Sequence, residues 1–370
     1  MGILNIWLPI TNLEFSIILL FVIGFCIGVL GGFFGVGGGW IATPALNIFR
    51  FDMDFAIGTD ITQIFGNSIV ATKVHSGLGN IDWKLGIFSI IFSVFGVELS
   101  AQFVVYLKAA FGAEALDVII RWCYIVLLSF LGVFMLYDYF VVQKRMAEED
   151  QKKFDPSLKK TTSESKKKPK RKTPLPQRLQ LLKIPPMISF PISGIKSVSI
   201  WIVLLIFFIA GVLQGFLGVG GGFIKMPAMI YLLGVPTIIA VGTDLFNVLI
   251  TSLYGGFTYA LKGRVELIAA LIMFCGGAIG AAFGSTATKY VHGYKIRLLF
   301  AIMIIVAAFS VLIKQLEKPL EMPYLNTVSG ILVLGGAILM TSIVLGKLVV
   351  SYIKVKKSEL SFNYNDFEKK

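Results

Sequence analysis

The chain consists largely of apolar runs long enough to cross a membrane, and this feature limits its fold more than any other. Of its 370 residues, 56% are hydrophobic and only 15% are charged, and the mean hydropathy is +0.81. A soluble domain of this length cannot hide so much apolar surface from water. Apolar runs of about 20 residues suit membrane-spanning helices. The sequence therefore predicts an all-α polytopic membrane protein.

The apolar runs predict eleven segments in two sets, with a polar stretch between the sets. They cover residues 14–34, 39–50, 55–74, 85–107 and 117–142, then 197–217, 219–233, 239–261, 267–288, 298–316 and 324–346. The expected domains are a first transmembrane repeat at 1–143, a basic linker at 144–196, a second repeat at 197–316, one extra transmembrane helix at 317–350 and a tail at 351–370.

Two nearly identical glycine-rich stretches interrupt the apolar runs. Residues 31–44 read GGFFGVGGGWIATP, and residues 214–227 read QGFLGVGGGFIKMP, at an offset of 183. The motif Gly-Thr-Asp at 58–60 then returns at 242–244, at an offset of 184. Agreement over this length indicates an internal duplication in which each half contains a glycine-broken helix hairpin and three spanning helices.

Basic residues predict the orientation of the two halves. The net charge is +13, and the basic residues crowd into the linker and the tail. This placement favours a cytoplasmic linker and tail over a nucleic-acid partner, and it allows the linker to contact anionic lipid. Counting the predicted membrane crossings back from the linker and from the tail puts the N-terminus outside, the loop around Asp82 inside and the loop at 262–266 outside. The two halves are therefore predicted to be inverted repeats, a recurrent plan of secondary transporters.

Residues that usually carry metal or catalytic chemistry are scarce. The three cysteines are scattered through apolar segments, and the two histidines are His75 and His292. We therefore expect no metal, no cofactor and no enzymatic activity, and we expect His75 to lie at the membrane interface.

The glycine breaks are the candidate substrate site. Backbone amides freed by a break must be buried in protein or line a polar cavity, and a helix N-terminus after the break favours an anion. The candidate substrate-binding glycines are Gly35, Gly37, Gly38 and Gly39 in the first copy and Gly218, Gly220, Gly221 and Gly222 in the second. The alternative is close helix packing, which we expect for the glycines spaced by four, namely Gly24, Gly28, Gly32, Gly276, Gly280 and Gly284.

Two carboxylates in apolar segments, Asp60 and Asp244, are candidates for proton coupling because buried charges in membranes are costly. Alternatively, each pins a helix together with the threonine before it. Four nearby polar residues are candidates for substrate binding, with interhelical hydrogen bonding as the alternative: Thr59, Gln63, Thr243 and Asn247.

Lys225 is a further candidate for substrate binding, and it takes the place of Ala42 in the first copy. A cation at this position either completes an anion site or extends its side chain to the cytoplasmic interface. The sequence alone favours the second interpretation.

The motif combination resembles the sulfite exporter TauE/SafE family of membrane permeases. The resemblance rests on the paired glycine stretches with Pro44 and Pro227, on the two Gly-Thr-Asp motifs, and on the loop from His75 to Trp83. It covers both hydrophobic halves but not the linker, the last helix or the tail. The family motif is closer to Gly-Thr-Ser, so Asp60 and Asp244 depart from it.

The resemblance implies a permease for sulfite, thiosulfate, sulfoacetate or a related anion. We therefore predict a secondary transporter in the cell membrane that moves a small anion by alternating access. Two other classes stay open, namely an uncoupled anion channel and a membrane receptor or scaffold that acts through the basic linker. The oligomeric state does not follow from the sequence.

Overall fold

The structure is a computed structural model that describes residues 5–143, 184–218, 221–291 and 293–367. Most of the predicted linker, as well as Gly220 and His292, lies outside these residues. Within them, seven helices are long and apolar enough to cross a membrane. The prediction of an all-α polytopic membrane protein is confirmed.

The helices follow one another with two short β-hairpins. The first part contains β1 (Asn5–Leu8), β2 (Leu13–Ser16), α1 (Ile17–Phe34), α2 (Gly39–Ile48), α3 (Met53–Gly77), α4 (Trp83–Tyr137) and a π-helical turn (Asp138–Gln143). The second part contains β3 (Met187–Phe190), β4 (Ile195–Ser199), α5 (Ile200–Leu217), α6 (Gly222–Ala228), a π-helical turn (Met229–Leu233), α7 (Thr237–Leu261), α8 (Leu267–Ala287), a 3-10 turn (Thr288–Tyr290), α9 (Gly293–Leu316) and α10 (Tyr324–Phe367).

Contacts between residues far apart in sequence define the N-terminal end of the helix bundle. The backbone N–H groups of Ile10 and Thr11 donate to Glu266 Oε2 over 2.9 and 3.0 Å. Close by, Arg264 forms a 3.2 Å ion pair with Asp54. Since Asp54 lies at the start of α3 and Arg264 follows the end of α7, α3 begins where α7 ends.

A matching set of contacts defines the linker end of the bundle. The backbone N–H and hydroxyl of Ser193, between β3 and β4, donate to Asp82 Oδ2 over 3.1 and 2.6 Å. Lys84 donates to the carbonyl oxygen of Ser189 over 2.9 Å. Asp82 follows the end of α3, so α3 crosses the bundle from the N-terminal end to the linker end, and α7 crosses it in the opposite direction.

Helices α1 and α2 form a hairpin that opens at the N-terminal end. Helix α1 ends at Gly35, whose N–H still donates to Gly31 O over 2.8 Å. The ring of Phe15, just before α1, lies 5.8 and 5.9 Å from the rings of Phe49 and Phe51, just after α2. The chain therefore turns back within the first glycine break.

Helices α5 and α6 form the corresponding hairpin at the linker end. Helix α5 follows the β3–β4 hairpin and ends at Gly218, whose N–H donates to Gln214 O over 2.8 Å. The π-helical turn after α6 leads directly into α7, which begins at the linker end. The two glycine-broken hairpins thus enter the bundle from opposite ends.

Helix α4 is broken in its middle at Gly112, where φ is 83° and ψ is 170°. A straight helix of its 55 residues would be about 83 Å long, whereas the hydrocarbon core is about 30 Å thick. Lys108 contacts the start of α3 at the N-terminal end, whereas Asp138 pairs with Arg297 near the start of α9. The two arms of α4 therefore cross the bundle in opposite directions.

Close packing of α1 against α8 depends on glycine. A Cβ atom on Gly24 or Gly28 would overlap the backbone of α8, and one on Gly276, Gly280 or Gly284 would overlap the backbone of α1. Small residues allow helices to approach closely where lipid gives no hydrophobic drive for association. The packing role predicted from the spacing of these glycines is confirmed.

The structure differs from the prediction at three boundaries. The segments predicted at 85–107 and 117–142 are the two arms of one helix, because the residues between them are helical except at Gly112. Strands β3 and β4 begin within the predicted linker, since Phe190, Ile195 and Val198 are buried. Helix α10 extends past residue 350 into the predicted tail.

Candidate functional site

The two glycine breaks lie against each other in the interior of the bundle. Gly222 is so close to Val36 that a Cβ atom on the glycine would overlap the Cα of the valine. On the other side, the hydroxyl of Thr43 in α2 lies 3.4 Å from the carbonyl oxygen of Gly218. The breaks therefore have the proximity that a shared site requires.

Glycine is required at the breaks because the backbone there adopts positive φ angles. These are 79°, 74° and 93° at Gly35, Gly37 and Gly38, and 74° and 77° at Gly218 and Gly221. L-residues with a Cβ are strained in this region of φ. The remaining candidate glycines are Gly39 and Gly222, which are the first residues of α2 and α6, and Gly220, which lies outside the described residues.

The first half supplies a buried polar cluster around Asp60. The Asp60 carboxylate accepts from the hydroxyl of Thr43 over 2.7 Å and from the amide of Gln63 over 3.0 Å. Gln63 in turn accepts from Asn67 over 2.7 Å. All four side chains are buried. Both carboxylate oxygens of Asp60 are thus satisfied inside the protein.

The second half supplies a buried cation. Lys225 Nζ donates to Gln214 Oε1 over 2.7 Å and to Asn247 Oδ1 over 2.5 Å. The remaining amide groups are also used, since Gln214 donates to Thr251 over 2.9 Å and Asn247 donates to Ser89 over 2.6 Å. These bonds turn both amide oxygens toward the ammonium group.

The expectation that Lys225 extends to the cytoplasmic interface is wrong. The residue has no solvent-exposed surface, and its ammonium group is bonded inside the bundle. The reason is the position of α6, which begins at the glycine break in the interior and not at the membrane surface. Lys225 therefore lies next to the breaks, as a candidate anion-binding residue must.

Asp244 lies beside this cation without a hydrogen bond. It is completely buried, and neither carboxylate oxygen has a hydrogen-bond partner among the residues that the structure describes. A Cβ atom on Gly222 would overlap its Oδ2, so the carboxylate faces the second break. The ammonium group of Lys225 faces the same break, since a Cβ atom on Gly221 would overlap it. A buried carboxylate with both oxygens unbonded is costly, which makes Asp244 a candidate for binding a proton.

Thr59 and Thr243 bond to the loops of the opposite half. The hydroxyl of Thr59 accepts from the backbone N–H of Glu266 over 2.9 Å, and that of Thr243 accepts from the backbone N–H of Asp82, also over 2.9 Å. These bonds tie the start of α3 to the loop after α7, and the start of α7 to the loop after α3. A role in substrate binding stays a prediction, and each hydroxyl still has its proton to donate.

The carbonyl groups near the ends of α1 and α5 also have matching partners. His75 Nε2 lies 3.2 Å from Gly32 O, and the hydroxyl of Tyr259 donates to Gly215 O over 2.8 Å. His75 is completely buried inside the protein, and its predicted place at the membrane interface stays a prediction. Its ring satisfies a carbonyl group that the glycine break would otherwise leave poorly bonded.

Sequence reasoning missed several side chains of this region, namely Thr43, Ser89, Tyr124, Gln214 and Thr251. A signal existed for Gln214, because it takes the place of Gly31 in an otherwise closely matched stretch. The others are apparent only from the packing of α4, α5 and α7. Tyr124, for example, reaches from α4 to donate to Leu217 O over 2.5 Å.

Within the described ranges, no cluster of three or more His, Cys, Asp or Glu side chains has the arrangement of a metal site. The region around the breaks contains instead backbone groups, amides, hydroxyls, one lysine and two carboxylates, of which that of Asp244 faces the same break as the lysine. Such a set can bind an anion through the lysine and nearby donors, and it can take up a proton at a carboxylate.

Comparison with known proteins identifies relatives over most of the chain. The family profile described as sulfite exporter TauE/SafE matches residues 20–311. A probable membrane transporter protein of Methanocaldococcus jannaschii is 38% identical over an alignment of 120 residues that covers 28% of this chain and 45% of the relative. The probable membrane transporter proteins YunE and YjnA of Bacillus subtilis are each 24% identical, over 78% and 81% of this chain and 95% and 100% of their own lengths. No solved structure gives a significant match.

The family match includes both glycine breaks, both Gly-Thr-Asp motifs and all helices from α1 to most of α9. Together with the apolar helices, it confirms a multi-pass membrane protein and the resemblance seen in the motifs. The chain belongs to the sulfite exporter TauE/SafE family.

Proposed function

We propose that this protein is a secondary transporter that moves a small sulfur-containing oxyanion, such as sulfite, thiosulfate or sulfoacetate, by alternating access. The family and the names of its relatives indicate a membrane transporter rather than an enzyme. The observation that supports an anion most directly is Lys225, a completely buried cation beside two touching glycine breaks.

The two halves are proposed to be inverted repeats. Support comes from the hairpins that enter from opposite ends, and from equivalent bonds such as Thr59 to Glu266 N–H and Thr243 to Asp82 N–H. An inverted pair places its broken helices at one site near the middle of the membrane. The candidate ligands are the glycines of both breaks together with Lys225 and Asn247.

The linker end is proposed to face the cytoplasm and the N-terminus to face outward. This orientation puts Lys84, Lys289, Lys295 and Arg297 on the cytoplasmic side together with the basic linker, in accordance with the bias of basic residues toward that side. Lys262 and Arg264 lie at the outer end, where Arg264 is neutralised by Asp54.

Access to the site requires movement, because Asp60, Lys225 and Asp244 are all completely buried. At the N-terminal end, Arg121 on α4 donates to Asn47 Oδ1 over 2.9 Å and so holds the end of α2. At the linker end, the hydroxyl of Tyr231, after α6, donates to Asp138 over 3.0 Å. We propose that these contacts close the two ends and that they open in turn.

Uptake into reconstituted vesicles tests the proposal. We expect the wild type to accumulate labelled sulfite, thiosulfate or sulfoacetate, and Lys225→Met to lower uptake by about 100-fold or more, because a buried anion would lose its counter-ion. The control is Lys73→Met, which removes an exposed lysine at the end of α3. Equal uptake by the two variants would contradict the proposed site.

The alternative classes give different results in the same vesicles. An uncoupled channel would give flux that follows voltage and never concentrates the anion. A receptor or scaffold acting through the linker would show no transport, and its phenotype would vanish on deletion of residues 150–180. That deletion spares β3 and β4, which hold Asp82, so a transporter should tolerate it.

A further inference from the structure

Resting on the proposed function, we infer that Asp244 carries the proton that accompanies the anion. In this scheme Lys225 is the resting counter-ion of the Asp244 carboxylate, and the incoming anion takes over the lysine while Asp244 becomes protonated. Asp60, its equivalent in the first half, has no part in coupling. The inference assigns one proton to one anion at a single carboxylate.

The contacts of the two aspartates support this division. Asp60 accepts two hydrogen bonds, from Thr43 and Gln63, so its carboxylate is stabilised without help from outside. Asp244 accepts none from the described residues, and the nearby cation is Lys225, which faces Gly221 while Asp244 faces Gly222. A carboxylate that depends on one nearby cation gains a proton most readily when that cation is taken by another anion.

Charge balance explains why the two events are linked. At rest the ammonium of Lys225 and the carboxylate of Asp244 sum to zero. Adding a singly charged anion, such as hydrogen sulfite, would leave one uncompensated negative charge in the bundle interior, which is costly. Uptake of one proton by Asp244 restores zero. For such an anion the loaded and the empty site are both neutral, and each can pass between the two access states without moving net charge. Thiosulfate and sulfoacetate carry two negative charges, so with them the loaded site keeps one negative charge and transport also responds to voltage.

On the described elements that pack against α7, other charged groups have partners of their own. On α4, for example, Glu98 accepts from the hydroxyl groups of Tyr254 and Thr258. On α3, the side chain near the breaks is Asp60, which is already bonded to Thr43 and Gln63. At the start of α4, Asp82 accepts from Ser193. On α6, the charged residue is Lys225 itself. The titration of Asp244 is therefore governed by the lysine and by whatever anion the lysine binds.

The test measures proton movement and anion movement separately in reconstituted vesicles. Labelled sulfite, thiosulfate and sulfoacetate are supplied one at a time, and a trapped pH dye reports proton entry. For the wild type, a gradient of one pH unit should give about tenfold accumulation of a singly charged anion. Asp244→Asn should abolish accumulation and proton entry but retain exchange of labelled for unlabelled anion.

Asp60→Asn is the matched control, because the new amide oxygen can accept from Gln63 while the new amide NH2 group donates to the hydroxyl oxygen of Thr43, whose own proton can go to Gly218 O. It should retain accumulation and proton entry. Gradient-driven accumulation by Asp244→Asn at the wild-type level would overturn the inference, as would wild-type transport without proton entry. Should Asp244→Asn fail to fold, Asp244→Glu replaces it and should retain coupling with a shifted pH profile, whereas an unshifted profile would contradict the assignment.

Failure of the proposed function would give a different result from failure of the Asp244 assignment. If the wild type neither binds nor transports any of the three anions, the transporter hypothesis for sulfur oxyanions fails. If the wild type accumulates an anion but the coupling resides elsewhere, only the assignment of Asp244 fails.

Discussion

The two halves share the same loop and carbonyl contacts but differ in the residues beside their glycine breaks. In both, a threonine accepts from a loop N–H of the other half over 2.9 Å, and an aromatic residue bonds a carbonyl before the break. At the centre, the first half has Ala42 and a satisfied Asp60, whereas the second has Lys225 and an unsatisfied Asp244. The two halves therefore match in their loop contacts and differ in the charged residues beside the glycine breaks.

The largest effect is expected from Gly222→Ala, which tests whether the breaks must touch. The new Cβ atom would overlap Val36 and Asp244, so we expect a loss of about 3 kcal/mol or more of stability and no monodisperse protein in size-exclusion chromatography. Gly263→Ala is the control. Gly263 has open space around it and, unlike Gly222, a positive φ, of 65°, so only about 1–2 kcal/mol of backbone strain is expected. Equal behaviour of the two variants would mean that the contact between the breaks is dispensable.

An intermediate effect is expected from Gln214→Leu, which tests whether the residues around Lys225 contribute more to anion binding than those around Asp60. The substitution removes one of the two acceptors of the Lys225 ammonium, so anion affinity should fall by about tenfold, in line with about 1.5–3 kcal/mol for a hydrogen bond to a charged group. Binding of labelled anion to the purified variant and to the wild type measures this difference in affinity.

Gln63→Leu provides the comparison in the first half, where it removes a bond to Asp60. It should lower thermal stability and leave anion affinity within about twofold of wild type. If Gln63→Leu weakens anion binding as much as Gln214→Leu does, both halves bind the anion, and the proposed difference between them is wrong.

The smallest effect is expected from Thr59→Val and Thr243→Val, which test the equivalent loop contacts of the two halves. Each leaves one buried backbone N–H without its acceptor, at a cost of about 1–3 kcal/mol. Thermal unfolding in detergent should show similar decreases for the two variants. A large decrease for one and none for the other would show that the two loop contacts are not equivalent.

The sequence was sufficient to predict the helical membrane fold, the family and the positions of both breaks. These follow from local properties, since apolar length predicts a span, and clustered glycine predicts an interruption. The sequence also predicts an internal duplication, because Gly-Thr-Asp returns at nearly the same offset as the glycine stretch.

What the sequence did not reveal depends on contacts between distant residues. The burial of Lys225 follows from Gln214 on α5 and Asn247 on α7, and neither identity predicts a bond to the lysine. The burial of His75 likewise follows from the position of Gly32 O. The two β-hairpins were missed because strands of four or five residues carry little periodic signal.

The bond between Glu266 and the first β-hairpin has a consequence for biosynthesis. The acceptor for the N–H groups of Ile10 and Thr11 is made about 250 residues later in the chain. At about 5–20 residues per second, translation leaves that interval open for roughly 10–50 s. During that time the N-terminal hairpin lacks its final partner, so the first half must wait in the membrane, incompletely assembled, until α7 has been inserted.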